Sequence, residues 1–121
     1  MTLRRRPRAS ASRSPCPIAG SLDLVGDRWT LLVVRDLLWG KQRFQEFLRS
    51  PEKIPTNLLA ERLARLEAAE LITRSPYQDN PPRFSYALTR KGRDLGPVLS
   101  AFVDWGTRHI PGSHTLEGES A

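Results

Sequence analysis

Apolar residues recur along the first half of the chain at spacings that predict three short helices. Residues 17–25 form the first, because Pro17 suits a first helical turn, in which its missing amide is not needed. Residues 28–39 form the second, which is apolar on all sides and is therefore expected to be buried on both faces. In so short a chain, one of those faces is expected to meet another subunit. The third covers residues 44–49.

The stretch from residue 56 to residue 70 predicts a longer, amphipathic helix. Leu59, Leu63 and Leu66 stand at positions i, i+4 and i+7, so they form a narrow apolar stripe on one side of that helix. The two prolines at 51 and 55 bracket the turn that comes before it. This helix is therefore expected to pack one face on the core and to present the other face to its surroundings.

A hairpin and a last helix follow. Residues 71–77 and 83–88 are predicted strands, joined by a polar, proline-rich turn. Thr89 is a suitable cap for the last helix, and the Gly96-Pro97 pair is expected to kink this helix or to delay its start. Its apolar stripe consists of Leu95, Val98, Leu99, Phe102 and Trp105.

Composition sets limits on this arrangement. With 121 residues the chain has room for one domain, and no apolar run is long enough to cross a membrane. Residues 1–14 are basic and poor in apolar residues, which predicts a disordered tail. Their composition also leaves open an arm that touches DNA or an organellar transit peptide. The folded domain is expected to cover residues 15–110, and residues 111–121 a flexible tail.

The net charge of +6 and the isoelectric point near 10.4 invite a nucleic-acid function, but most of this charge lies in the tail. Residues 1–14 hold five arginines and no acid, and subtracting these five from +6 leaves only +1 for the rest. The charge of the folded part alone is therefore weak support for DNA binding. The placement of individual residues must carry that case.

Several classes of site are excluded or disfavoured. The one cysteine, Cys16, rules out an intramolecular disulfide, and with only two histidines no structural zinc site is expected. A lone thiol suits the reducing cytoplasm. An enzyme would need a nucleophile beside a base, paired carboxylates or a phosphate-binding loop. None of these is evident, so we expect no enzymatic activity and no cofactor.

The order of elements predicts a mainly α-helical domain with a small β-hairpin (α+β), arranged as a winged helix-turn-helix. In that architecture a short helix, a tight turn and a second helix place the second helix in the major groove, and the hairpin is the wing. A winged helix that binds another protein instead of DNA is the alternative, and a nearly neutral folded domain would suit it.

Specific motifs within this order resemble the HxlR family of winged-helix transcriptional regulators across residues 16–108. They are CPI at 16–18, GDRWTLL at 26–32, RFQEF at 43–47, IPTNLLAERL at 54–63, PPRFSYALT at 81–89 and WG at 105–106. The resemblance implies a homodimer, held through its first and last helices, that binds an inverted repeat in double-stranded DNA. A repressor is the form of regulation expected.

One position departs from the family pattern. Glu70 stands where the family usually has glycine, between the predicted recognition helix and the first wing strand. A left-handed cap there would strain Glu70 by roughly 1 kcal/mol. Either the helix ends differently in this chain or the strain is tolerated.

The N-terminal part of the predicted recognition helix, whose outer side lies opposite the leucine stripe, holds the candidates for reading bases. They are Thr56, Asn57, Ala60 and Glu61, of which Asn57 suits adenine, Ala60 a thymine methyl group and Glu61 the amino group of cytosine. The alternative is that Thr56 only caps the helix and that the other polar residues only face solvent.

Basic residues around that helix are candidates for contacts with phosphate. Arg62 and Arg65 are predicted phosphate clamps, although Arg62 has the alternative of pairing with an acid inside the domain. Arg83, just beyond the wing tip, is expected to reach a phosphate or the minor groove. Arg43 and Lys53 are weaker candidates for contacts with the DNA backbone.

Cys16 is a candidate redox sensor. A thiol at a helix N-terminus is a favourable place for thiolate, and the family resemblance implies that this cysteine responds to small-molecule electrophiles or oxidants. A buried capping cysteine without a redox role is the alternative. The three tryptophans are interpreted as core or dimer interface rather than as a ligand cage. They are Trp29, Trp39 and Trp105.

Overall fold

The computed structural model describes residues 14–114. Its elements are α1 (Pro17–Val25), α2 (Thr30–Leu38), α3 (Phe44–Leu48), α4 (Thr56–Ala68), β1 (Ile72–Asp79), β2 (Pro82–Leu88), α5 (Arg90–Arg93) and α6 (Gly96–His109). This order confirms the predicted helical fold with one antiparallel hairpin. Apart from Ser14 and residues 111–114, the predicted tails lie outside the described residues, so they stay predictions. No helix of the described chain is long and apolar enough to cross a membrane.

The core forms where α2, α3 and α4 meet the base of the hairpin. The stripe of Leu59, Leu63 and Leu66 is buried, which confirms that α4 turns this face inward. Phe47 of α3 is also buried, and its ring meets Tyr86 of β2 edge-on at 6.3 Å. The other buried apolar side chains are Val25, Val33, Val34, Leu37, Ile54, Leu71 and Ile72. Because α4 is fixed by this stripe, its opposite edge is held rigidly at the surface.

Helix α2 begins two residues later than predicted, at Thr30 instead of Arg28. The reason lies in Asp27, whose carboxylate accepts hydrogen bonds from the backbone amides of Trp29 at 2.9 Å and Thr30 at 3.0 Å. These bonds turn the chain before the helix starts. The predicted burial of both faces is confirmed for most of α2, but Leu38 remains 40% exposed.

A buried carboxylate ties α2 to the turn after α3. Asp36 is 3% exposed and accepts a hydrogen bond from the hydroxyl of Ser50. Arg35 donates to Asp36 at 2.9 Å and makes two hydrogen bonds of 2.8 Å to Glu52. Both Ser50 and Glu52 lie in the turn that precedes α4, so this cluster positions the start of the candidate recognition helix.

The hairpin pairs Ile72 with Leu88 at its base and Asp79 with Pro82 at its tip. Between Pro76 and Gln78 the register shifts, which leaves Tyr77 as the extra residue of a β-bulge. The segment before α3 joins the same sheet, because the amide of Tyr86 donates to the carbonyl of Gln42 at 2.8 Å. The wing is thus attached to the helix-turn-helix through backbone as well as side chains.

Helix α4 ends in a left-handed residue. Of the two alternatives for Glu70, the strained left-handed cap is the one that the structure has. Glu70 has φ of 63°. Its amide donates to the carbonyl of Glu67 at 3.0 Å, and the amide of Leu71 donates to the carbonyl of Leu66 at 2.9 Å. These two bonds make the Schellman motif, in which glycine is the usual left-handed residue.

The last long helix starts only at Gly96, so the Gly96-Pro97 pair delays its start instead of kinking it. Thr89 caps the short α5, accepting from the amide of Gly92 at 3.1 Å, and α6 begins at Gly96. Leu95 and Leu99 pack against the core, but the outer part of the predicted apolar stripe does not. Phe102 and Trp105 are each 58% exposed, and Ile18 and Leu22 of α1 are 71% and 55% exposed.

Candidate nucleic-acid interface

The exposed edge of α4 carries all four residues predicted to read bases. Thr56, Asn57, Ala60 and Glu61 are exposed, and Asn57 and Glu61 lie on the opposite side of the helix from the buried leucines. Pro55 takes the cap position, so Thr56 is the first helical residue instead of the cap. The described chain therefore leaves this edge free for a partner.

Arg62 forms the ion pair inside the domain that the sequence left as one of two alternatives. Its Nε donates to Oδ1 of Asp27 at 3.0 Å, and its Nη1 pairs with the carboxylate of the neighbouring Glu61. The side chain of Arg62 is only 14% exposed. An arginine held in this way is a poor phosphate clamp, so the predicted clamp role of Arg62 does not fit the structure.

Arg65 lies farther out on the same helix. Its guanidinium is 3.9 Å from Asp27 and 3.8 Å from Glu61, longer than hydrogen bonds, and 46% of its side chain is exposed. Arg65 thus keeps the freedom to approach a phosphate that Arg62 lacks.

Asp27 is the anchor of this group of charges. Burial opposes its ionisation, but hydrogen bonds from the Thr30 hydroxyl, the Trp29 amide and Arg62 outweigh burial and hold the pKa of Asp27 well below its usual range. The carboxylate is therefore ionised at neutral pH and binds Arg62 as a charged partner.

The wing presents Arg83 next to its tip. Arg83 pairs in the sheet with Gln78 and is exposed, as predicted for a residue that reaches DNA from the hairpin. Asn80 and Pro81 form the tip and are joined by a cis peptide bond. The side-chain amide of Gln78 donates to the carbonyl of Pro81 at 3.0 Å. This geometry places Arg83 on the wing, while the base-reading edge lies on α4.

Arg43 links the helix-turn-helix to the wing. Its guanidinium lies 3.8 Å from the centre of the Tyr77 ring, and its backbone bridges to Ser85 of β2. Glu46 accepts from the backbone amides of Gln42 and Arg43 at 2.7 and 3.0 Å, and these bonds lower the pKa of Glu46. Arg43 is exposed and oriented by an aromatic ring.

Lys53 sits in the turn before α4. It is exposed and has φ of 61°, so the backbone there takes a conformation that is rare for residues other than glycine. Its position places a positive charge close to the start of the recognition helix.

Cys16 occupies the cap position of α1 and is an exposed free thiol. Its side chain makes no capping hydrogen bond. Its backbone amide donates to the hydroxyl of Ser14 at 3.1 Å. The interpretation of Cys16 as a buried capping cysteine therefore does not hold.

Two residues of the interface were not found from the sequence. Asp27 was noted only as part of the motif at residues 26–32 and no partner was predicted for its carboxylate, although an Asp three residues before Thr30 is a recognisable capping pattern. Its pairing with Arg62 spans 35 positions and leaves no local signal. Tyr77 was placed in a strand, and the bulge that turns its ring towards Arg43 has no simple sequence signature.

Comparisons with known proteins agree with this architecture. A family model described as HxlR-like helix-turn-helix matches residues 24–114. The HTH-type transcriptional regulator YdeP of Bacillus subtilis is 37% identical over 94 residues, which are 78% of this chain and 73% of YdeP. The HTH-type regulator Rv3095 of Mycobacterium tuberculosis is 38% identical, but the chain spans only 59% of its length.

Solved structures have the same fold. The protein PA1607 superimposes with a TM-score of 0.76 at 36% identity, over 88% of this chain and 75% of PA1607. The redox regulator HypR in its reduced form superimposes with a TM-score of 0.72 at 32% identity, over 79% of this chain and 95% of HypR.

Proposed function

The chain belongs to the HxlR-like helix-turn-helix family of transcriptional regulators, and we propose that it is a cytoplasmic, homodimeric repressor of an inverted-repeat operator. The exposed edge of α4, opposite a buried leucine stripe and beside an exposed wing, carries this proposal. A winged-helix domain that binds DNA needs such a free edge on its recognition helix.

Base reading is assigned to the edge of α4. Asn57 pairs with adenine, Glu61 accepts from the cytosine amino group, and Ala60 contacts a thymine methyl group, with Thr56 at the helix start beside them. All of these positions are exposed, as this role requires.

Backbone contacts are assigned to basic residues on either side of that edge. Arg83 on the wing, Arg43 before α3, Lys53 before α4 and Arg65 on α4 each offer a positive charge at the surface. Such contacts fix the register of a protein on the duplex without reading its sequence.

Dimerisation is assigned to α1 and α6. Ile18, Leu22, Phe102 and Trp105 are more than half exposed in the single chain, and large apolar surfaces of this kind mark interaction sites. A two-fold axis through this surface would present two recognition helices in opposite directions, which is the symmetry that an inverted repeat matches.

DNA binding is tested by a mobility shift with the full chain on the DNA upstream of its own gene. We expect affinity to fall steeply as salt rises, because phosphate contacts release counterions. Asn57→Ala should weaken binding to that DNA roughly tenfold. Thr107→Ala, at an exposed position on α6, is the control and should not. Binding without dependence on salt, or the absence of binding, would favour the protein-interaction alternative.

Redox control is assigned to Cys16. The support is the exposed thiol at the start of α1 and the similarity to the redox regulator HypR. We propose that modification of this thiol by an electrophile or oxidant changes operator affinity. Alkylation with N-ethylmaleimide should change the mobility shift of the natural protein but not that of Cys16→Ser. An equal response of both proteins would contradict the assignment.

A further inference from the structure

Four charged side chains of alternating sign form a network across α4 and the start of α2. Arg62 contacts Asp27 on one side and Glu61 on the other. Arg65 lies 3.9 Å from Asp27 and 3.8 Å from Glu61. Each arginine is thus placed between the same two carboxylates.

The members of this network differ in exposure. The side chain of Arg62 is 14% exposed and that of Asp27 is 23% exposed, whereas Glu61 is 51% exposed. Arg62 and Asp27 are therefore partly buried, whereas the Glu61 carboxylate and the Arg65 guanidinium reach the edge that faces outward. The network connects a surface acid to an internal support.

That support is fixed to the backbone of another element. Asp27 accepts hydrogen bonds from the amides of Trp29 and Thr30, in addition to the one from Arg62. The Glu61 side chain is thus held, through Arg62 and Asp27, by the backbone at the start of α2 and does not rotate freely.

A carboxylate needs such support to read DNA. Phosphate groups repel it, and an unrestrained glutamate has many rotamers to lose on binding. An arginine beside the carboxylate offsets its charge and fixes its plane, while the carboxylate retains lone pairs that accept further hydrogen bonds. In the major groove, the amino group of cytosine is the donor that a carboxylate is best placed to accept.

We propose that Arg62 and Asp27 are positioning residues for sequence recognition: they hold Glu61 so that the protein selects a C·G pair at one position of each half-site, although neither residue contacts DNA. This inference rests on the proposed function. It assigns Arg62, which is held by Asp27 and Glu61, a role in selecting the DNA sequence instead of in affinity for phosphate.

The test is selection of duplexes from a pool with random half-sites, followed by affinity measurements on the selected sequence and its single-base variants. The natural full chain should prefer C·G at one half-site position by roughly five- to tenfold or more. Glu61→Gln should remove this preference. Arg62→Lys keeps the charge but loses the planar fork, so it should lose the same preference while its affinity for unrelated duplex stays within about twofold.

A double variant and a matched control complete the test. Glu61→Gln combined with Arg62→Lys should lose no more discrimination than either single change, because both act on one contact. Arg108→Lys, which alters an exposed ion pair with Asp104 on α6, should leave the preference unchanged. Asp27→Asn should behave as Arg62→Lys does.

Three results would overturn the inference alone. The first is a natural chain that binds DNA without preferring C·G, and the second is an Arg62→Lys protein that keeps the full preference while Glu61→Gln loses it. The third is an unchanged preference in Glu61→Gln, which raises no question of folding because Glu61 is a surface residue. A natural chain that binds no duplex would instead overturn the proposed function itself.

Discussion

Glu70 occupies a backbone conformation that its own side chain disfavours. With φ of 63° it closes α4 through the two hydrogen bonds of a Schellman motif, and its carbonyl accepts from the Thr89 hydroxyl at 2.7 Å. The cap is therefore formed although the residue is unsuited to it. The surrounding bonds, not local preference, hold this position.

Replacing Glu70 with glycine should stabilise the protein. The strain relieved is about 1–2 kcal/mol, and the greater freedom of glycine in the unfolded chain offsets about 0.4–1 kcal/mol of it. We expect the free energy of unfolding to rise by about 0.5–1 kcal/mol, measured by urea denaturation. Glu70→Ala is the control, because alanine keeps the Cβ atom and thus the strain. A gain with alanine as large as that with glycine would show that strain is not the cause.

At the residue scale, local patterns in the sequence were sufficient for some assignments and not for others. The stripe of Leu59, Leu63 and Leu66 follows from neighbours within a few positions, so it could be predicted, whereas the strain at Glu70 was one of two alternatives that the family resemblance offered. The partner of Arg62 could not be predicted, because Asp27 is brought to it only by the packing of α4 against the start of α2. For this reason the sequence could not decide between a phosphate clamp and the internal ion pair that Arg62 forms.

Among the elements, α5 packs closely against the base of the wing at Gly92. A Cβ atom on Gly92 would overlap the carbonyl oxygen of Leu71 and lie 2.9 Å from a methyl group of Leu88. The same carbonyl accepts from the amide of Thr89 at 3.0 Å, so it cannot move without loss of this bond. Only glycine allows α5 to approach the two strands in this way.

Gly92→Ala should therefore destabilise the protein by about 1–3 kcal/mol, the usual cost of overpacking. Thermal unfolding with Gly96→Ala as control provides the measurement. A Cβ atom on Gly96 meets no atom within 4 Å, so this second variant should unfold within a few degrees of the natural protein. Equal melting temperatures of the two variants would contradict the packing argument.

The link between α2 and α4 should make stability depend on pH. Hydrogen bonds to Asp27 outweigh its burial and lower its pKa in the folded state. A lowered pKa gives stability that is fully present above the unfolded value near 4 and is lost as the pH falls. The loss occurs because protonation of the carboxylate weakens the hydrogen bonds that it accepts from the Thr30 hydroxyl, the Trp29 amide and Arg62.

Asp27→Asn should reduce that dependence. Between about pH 5 and pH 2 the melting temperature of the natural protein should fall more steeply than that of the variant, while at pH 7 the variant should be the less stable of the two. Asp94→Asn removes the same charge from an exposed position after α5 and should keep the natural slope. Parallel curves for the natural protein and Asp27→Asn would rule out the Asp27 carboxylate as the source.

Element boundaries were predictable where periodicity is combined with a nearby proline. The limits of α1 and the start of α4 agree with the structure to the residue. The start of α2 and the extra residue in β1 do not, because a side-chain cap and a bulge decide them. The attachment of Gln42 and Arg43 to β2 was also missed, since it joins segments that are distant in sequence.

At the scale of the whole molecule, most of the large apolar side chains that the described part of the chain leaves exposed lie on its first and last helices. Phe102 and Trp105 on α6 and Ile18 and Leu22 on α1 are each more than half exposed, which is costly for a protein that remains a monomer. The exposed edge of α4 is polar instead. The two surfaces thus have different character, one suited to a second copy of the chain and the other to DNA.

Phe102→Glu should separate the proposed dimer into monomers. Burial of one phenylalanine contributes about 1.5–3 kcal/mol, and two-fold symmetry introduces the change twice, so the dissociation constant should rise at least about 100-fold. Analytical ultracentrifugation measures this directly. Tyr77→Glu places the same charge on the exposed wing and should remain dimeric. If Phe102→Glu remains dimeric as well, α6 is not the interface. If Phe102→Glu becomes monomeric and still binds the inverted repeat with undiminished affinity, the two half-sites are not read by one dimer.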